Sequence, residues 1–308
     1  MDKEIFIHDV VARDGLQIEP QWVPTGQKIE LIDRLSATGV AKIEATSFVS
    51  PKAVPNLRDA EEVMAGIARN PDVSYVALVP NARGAERALA ADVDEMVLVV
   101  SVSETHNRAN VRRTVVQSFA GFAEVFDVAR GSGKAITGAL ATSFGCPFEG
   151  VIPEQQVIDG VARYVDLGVA GVTLADTTGM ANPRQVEALV RRVRERWPDL
   201  DLVLHFHNTR GMGLANVLAG LSAGVVRYEG TLGGLGGCPF APGATGNICT
   251  EDLVHMLHSM GYATGVDLDL LLATSRRLGE IVGHDLPGQV VKAGKSTDLH
   301  PAPRELAH

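Results

Sequence analysis

Residues 170–208 read AGVTLADTTGMANPRQVEALVRRVRERWPDLDLVLHFHN, and the fold follows from this stretch. Ala170–Asp176 is a short run rich in Ala, Val and Leu, closed by Thr-Thr-Gly, the pattern of a strand buried on both faces. Asn182-Pro183 is a helix start, an N-cap followed by proline at the first helical position, where its missing N–H costs nothing. Helical periodicity then runs over Pro183–Arg196, and a second apolar run, Leu202–Asn208, follows.

The same alternation extends in both directions. Further strands are read at Glu4–Asp9, Val40–Thr46, Ser74–Pro80, Glu95–Ser101, Ala135–Thr142 and Val225–Gly230. Helical stretches are clear at Gln27–Ala37, Ala60–Arg69, Val115–Arg130 and Glu154–Leu167. Leu167-Gly168 and Thr38-Gly39 read as helix ends closed by glycine. Eight strands, each followed by a helix within about 250 residues, predict an α/β fold of the (β/α)8 TIM-barrel type, with an additional C-terminal helical segment. An open, doubly wound sheet has fewer strands and a Gly-rich phosphate turn after the first, and Val10–Gln17 holds no such turn. The barrel domain is read over 1–286. Residues 287–308 are read as a loose tail, because Gly, Pro, Lys and Asp dominate there.

Composition narrows the function. Hydrophobic residues make up 45% and charged residues 21% of the 308, which excludes a disordered chain. With 28 Lys and Arg against 37 Asp and Glu, the net charge of −9 argues against nucleic acid or an anionic membrane as partner. Cys146, Cys238 and Cys249 are an odd set without CxxC spacing, so reduced thiols in a cytoplasmic protein are expected. No signal peptide and no membrane-spanning run is visible.

Chemistry in such a barrel sits at the C-terminal ends of the strands. Arg13-Asp14 follows the first strand, Glu44 closes the second, Asp176 the sixth, and His205-Phe206-His207 the seventh. The Gly-rich loop Gly233–Asn247 follows the eighth. Residues two apart on a strand share a face, so His205 and His207 can reach one ion; the alternative is a pair of hydrogen-bonded core histidines. Asp14 offers a carboxylate oxygen and Asn247 an amide oxygen. Two nitrogens and two oxygens suit a divalent cation, Mg²⁺ or Mn²⁺, with Zn²⁺ or Co²⁺ also admissible. Arg13 reads either as half of a surface ion pair or as a guanidinium that stabilises an enolate. Asp176 also reads as a helix cap, and Glu44 as a group that orients Arg13 or a ligand. Cys238, in a glycine-rich loop, reads as an acid or nucleophile, with Cys146 the second choice and Cys249 a packing residue.

Four segments carry a family likeness: Arg13-Asp14-Gly15-Leu16-Gln17, Ile43–Lys52, Gly145–Gly150 and Gly233–Asn247. They resemble 3-hydroxy-3-methylglutaryl-CoA lyase, one of the barrel metal-dependent lyases with an Arg-Asp motif, and the likeness runs in order from about Ile5 to Gly265. The resemblance implies Asp14, His205, His207 and Asn247 as cation ligands, and Arg13 as enolate stabiliser. It further implies Cys238 as acid or base, Glu44 and Asp176 as supporting acids, Gln17 on the substrate side, and an acyl-CoA thioester substrate handled by a homodimer. The reaction implied is cleavage to acetyl-CoA and acetoacetate, as in leucine breakdown.

The sequence departs from the family's His-Asp-Thr-Tyr-Gly, reading His207-Asn208-Thr209-Arg210-Gly211, and carries Asp9, Ala12 and Ile18 for the usual Glu, Pro and Asn. Arg210 is therefore expected to contact substrate or a neighbouring acid. A related thioester such as citramalyl-CoA is the alternative substrate. A Claisen-condensing synthase normally adds a domain for which this chain has no room. A metal hydrolase would turn over esters or amides without CoA, and a binding protein would have no chemical reason to keep these residues together.

Overall fold

The computed structural model describes residues 4–237, 246–299 and 301. Eight parallel strands close into a barrel in chain order. They are β1 (Phe6–Asp9), β2 (Lys42–Ser47), β3 (Ser74–Leu78), β4 (Glu95–Ser101), β5 (Ala135–Ala141), β6 (Gly171–Asp176), β7 (Asp201–Phe206) and β8 (Arg227–Gly230). The helices between them are α1 (Thr25–Ser36), α2 (Ala60–Gly66), α3 (Ala82–Ala90), α4 (Glu104–Val111), α5 (Val115–Ala129), α6 (Glu154–Leu167), α7 (Pro183–Arg196) and α8 (Gly213–Ser222). After β8 come α9 (Thr250–Ser259), α10 (Leu268–Val282) and the short α11 (Val290–Ala293). The (β/α)8 architecture with added C-terminal helices is therefore as the alternation predicts. Among the described residues no helix is long and apolar enough to cross a membrane.

The unit at 170–208 shows why. Every residue of β6 is buried, since the barrel covers one face and the helices the other. Asn182 caps α7 by accepting from the Gln185 N–H at 3.1 Å, and the Gln185 side chain reaches back to the Asn182 N–H at 3.3 Å. Val186, Leu189, Val190 and Val193 form the buried stripe of α7.

Several boundaries shift by a few residues from the sequence reading, and two of the shifts have a visible cause. α2 stops at Gly66 rather than Arg69, because the chain is drawn out of the helix where the Ala68 N–H meets Asp33 Oδ1 at 2.8 Å. β7 ends at Phe206 rather than Asn208. There the chain bonds the segment beyond β8, with the Ile248 N–H on the Phe206 carbonyl and the Asn208 N–H on the Gly246 carbonyl, both at 2.9 Å. This pairing brings His207 opposite Asn247.

The segment beyond Leu286 does not begin as a loose tail. Both Asp252 oxygens accept the Gln289 N–H at 3.0 Å, the Val290 N–H meets Asp252 at 2.7 Å, and Val290 is buried. Composition missed this because the anchor is a carboxylate on α9.

Candidate functional site

The chain leaves β1 in a single π-helical turn, Val11–Gly15, a geometry that recurs at functional sites. Asp9 Oδ1 accepts the Val11 N–H at 2.8 Å, and the Asp14 N–H closes on the Val10 carbonyl at 2.7 Å. This turn sets Arg13 between two acids: its Nη1 donates to Asp14 Oδ1 and its Nε to Glu44 Oε2, each at 2.6 Å. Glu44 lies where the register of β2 against β3 shifts, a bulge that re-aims a side chain at a strand end. Gln17 Nε2 approaches Asp14 Oδ1 at 3.3 Å, and Asn247 Nδ2 donates to Asp14 Oδ2 at 2.7 Å. Gly236 makes that approach possible. Its φ is +101°, and a Cβ there would stand 2.6 Å from Asn247 Nδ2.

Asp14, His205 and His207 are all buried, and each offers a ligand atom within 4.8 Å of the others. Burial opposes charge on Asp14, but Arg13 and the two histidines hold its carboxyl below the usual range. Burial lowers His207 to about 3, so this imidazole is neutral with a lone pair to give. Burial works against charge on His205 too, yet the hydrogen bond and charge of Glu229 carry its pKa above the ordinary value. Asn247 Oδ1 and His207 Nδ1 are buried without a hydrogen-bond partner, and an unmet buried polar atom costs about 1–3 kcal/mol. Orphaned atoms on two of the four expected ligands fit a cation. Two imidazoles, one carboxylate and one amide are the donors such an ion takes.

The remaining candidates among the described residues fall at the same end of the barrel. Asp176 uses Oδ1 to accept the Met180 N–H at 2.7 Å, while its buried Oδ2 has no partner, and burial lifts the carboxyl to about 6. Burial likewise lifts Glu44 to about 7 against the pull of Arg13. Among the described residues Arg210 forms no ion pair with an acid: Nη1 donates to the carbonyls of Thr178 and Gly179 at 3.0 and 2.9 Å. It braces the loop after β6, and its charge reaches Asp176 only through space. Cys146 is fully buried with its thiol on Ser103 Oγ at 3.0 Å, which makes it a turn-fixing group. Cys249 is buried as well, at the start of α9. Cys238 lies outside the described residues.

Sequence reasoning missed Glu229. Its Oε2 meets His205 Nδ1 at 2.9 Å, and its Oε1 accepts from Thr173 Oγ1 at 3.2 Å. The signal was present, since Glu229 is the penultimate residue of β8, and the strand-end census passed over it for the loop beyond. Asp9 was noticed only as a departure, although its carboxylate holds the π turn after β1.

The HMGL-like family model matches residues 4–278. The chain belongs to the HMGL-like family. A hydroxymethylglutaryl-CoA lyase of Bacillus subtilis is 43% identical over 96% of this chain and 99% of its own. An (R)-citramalyl-CoA lyase of Chloroflexus aurantiacus is 42% identical over 94% and 95%. Among solved structures, an HMG-CoA lyase from Acinetobacter baumannii in complex with coenzyme A and 3-methylmalate is 56% identical, covers 97% of this chain and 98% of its own, and superposes with a TM-score of 0.94. These HMGL-like relatives match along nearly their whole length, and the barrel and its Arg13–Asp14 turn fall inside the matched span.

Proposed function

We propose that the protein is a cation-dependent carbon–carbon lyase that cleaves 3-hydroxy-3-methylglutaryl-CoA to acetyl-CoA and acetoacetate. The observation that carries this reading is the convergence of Asp14, His205, His207 and the unpartnered Asn247 Oδ1 beside the Arg13–Glu44 pair, in an HMGL-like chain. When bound, the divalent cation supplies positive charge that acidifies a neighbouring substrate hydroxyl and polarises the oxygen that becomes a ketone. Asp14, His205, His207 and Asn247 would hold it. Mg²⁺ or Mn²⁺ suits the mixed nitrogen and oxygen donors.

The chain's own groups do the rest. A base takes the C3 hydroxyl proton, the C2–C3 electron pair moves onto the thioester as an enolate, and C3 becomes the ketone of acetoacetate. Asp176 suits the base role, having a free buried oxygen and a pKa near 6, whereas both Asp14 oxygens are engaged and held ionised. Arg13, held by Glu44 and Asp14, presents a fixed guanidinium to the developing enolate oxygen. Gln17 lies beside Asp14 on the substrate side. Cys238 is the group assigned to protonate the enolate carbon, giving acetyl-CoA. Arg210 acts by bracing the Asp176 loop. The setting proposed with this activity is a homodimer acting in the cytoplasm on a leucine-derived thioester.

Citramalyl-CoA is the second reading, favoured by the comparable identity to a citramalyl-CoA lyase. The ketone separates the two. With Mg²⁺ and each thioester in parallel, the main reading expects acetoacetate from 3-hydroxy-3-methylglutaryl-CoA at the higher kcat/KM. Faster release of pyruvate from citramalyl-CoA reverses the assignment.

A further inference from the structure

Below the four expected ligands, the barrel interior holds a cavity of about 140 Å³ that runs from Glu44 and Glu229 toward the N-terminal ends of the strands. Its far end is polar but internally compensated: Lys42 pairs with Glu95, Thr137 Oγ1 donates to Glu95 at 2.8 Å, and Arg227 meets Asp201 at 3.3 Å. Among the described residues no unpaired charge is left there to hold a ligand. The near end is different, because Glu229 reaches up from it to touch a ligand histidine.

Glu229 on β8 is in register with His205 on β7. Both of its oxygens are committed, Oε2 to His205 Nδ1 at 2.9 Å and Oε1 to the Thr173 hydroxyl at 3.2 Å, so the carboxylate cannot swing without breaking two contacts. An imidazole that donates from Nδ1 to a carboxylate carries its lone pair on Nε2, with its ring plane and basicity fixed by that partner. His207 differs, its buried and unpartnered Nδ1 being the nitrogen left open to the cation. The two histidines are thus held unequally. His207 is placed by the backbone pairing with Asn247, and His205 by a carboxylate standing behind it.

We propose that Glu229 is a positioning residue for the cation: it holds His205 as the Nδ1–H tautomer with Nε2 turned to the ion, and Thr173 locks the carboxylate in that role. This rests on the cation reading above, and the test separates the two. Metal-stripped wild type, Glu229→Gln, Glu229→Ala and Thr173→Val are titrated with Mn²⁺, free ion being followed by electron paramagnetic resonance. Imidazole ¹⁵N shifts are recorded on the Mg²⁺-loaded proteins.

Loss of such a partner lowers metal affinity by about 10–100-fold, so Glu229→Ala is expected in that range. Glu229→Gln keeps an acceptor for Nδ1–H but loses the charge, and falls between wild type and alanine. Thr173→Val weakens binding less than either. In wild type His205 shows a protonated Nδ1, and activity lost in Glu229→Gln returns at saturating Mn²⁺. A folded Glu229→Gln protein whose Mn²⁺ affinity and His205 shifts match wild type overturns the proposal while leaving the cation reading intact, and should Glu229→Ala fail to fold, the glutamine variant alone decides. Wild type that binds no Mn²⁺ overturns both.

Discussion

Asp14 and Asp176 are both buried aspartates at the same end of the barrel, and their neighbours push them in opposite directions. Arg13 and two histidines keep Asp14 ionised, while Asp176 faces burial with only backbone donors and more distant charge, and rises to about 6. Such a split marks one acid for holding charge and the other for exchanging a proton. For Asp176 as base, the carboxylate is the active form, so kcat/KM falls as pH drops through its pKa. A bound cation pulls that pKa lower still, so the acid limb lies at or below about pH 6. Asp176→Asn is expected to cost about 10²–10⁴ in kcat and to remove this limb, with Mn²⁺ affinity little changed. A pH–rate profile of the variant that keeps the limb assigns the base elsewhere. These residue types and their strand-end positions were legible in the sequence. The opposed pKa shifts were not, because they arise from burial and from charges at the end of β7 that only the closed barrel brings to these two acids.

The element that matters most is the π turn after β1, and Asp9 ties it down. Asp9 Oδ1 accepts the Val11 N–H, and Oδ2 accepts the Thr250 hydroxyl at 2.6 Å, linking the end of β1 to the start of α9. Burial lifts Asp9 from its ordinary 3.8 to about 7, so the folded chain holds this proton more tightly than the unfolded one. The stabilisation it contributes is full below about pH 4 and is lost as pH rises toward 7. Asp9→Asn takes that loss away, and thermal unfolding from pH 4 to 8 is expected to show a flatter Tm profile than wild type. A profile of unchanged slope assigns the dependence to other groups. The strands and the long helices were readable because period and caps are local properties of the chain. The π turn was not, since Val10–Gln17 carries no periodic signal and its winding depends on Asp9 and on contacts from β2 and the β8 loop.

At the scale of the molecule, the barrel is finished by chain that follows it. α10 packs on α1, where Arg277 brackets Glu30 with bonds of 2.8 and 2.9 Å, and the segment from Pro287 closes against Asp252 on α9. Deleting residues 287–308 therefore removes a buried Val290 and the Gly288, Gln289 and Val290 N–H groups bonded to Gly233 and Asp252. It is expected to lower Tm by a few degrees, as is Asp252→Ala. Unaltered unfolding of both variants would show that this docking contributes nothing. The tail was misread because Gly, Pro and Lys describe its own flexibility, whereas its anchor lies some 35 residues earlier in the chain. The central claim is cation-dependent cleavage by the Asp14, His205, His207 and Asn247 set, and reconstitution tests it most directly. Metal-stripped protein is given 3-hydroxy-3-methylglutaryl-CoA, and acetyl-CoA and acetoacetate are measured before and after Mg²⁺ or Mn²⁺ is added. The expected result is negligible release without the ion and equimolar products with it. Equal turnover in the stripped and reconstituted protein, or none in either, contradicts the account.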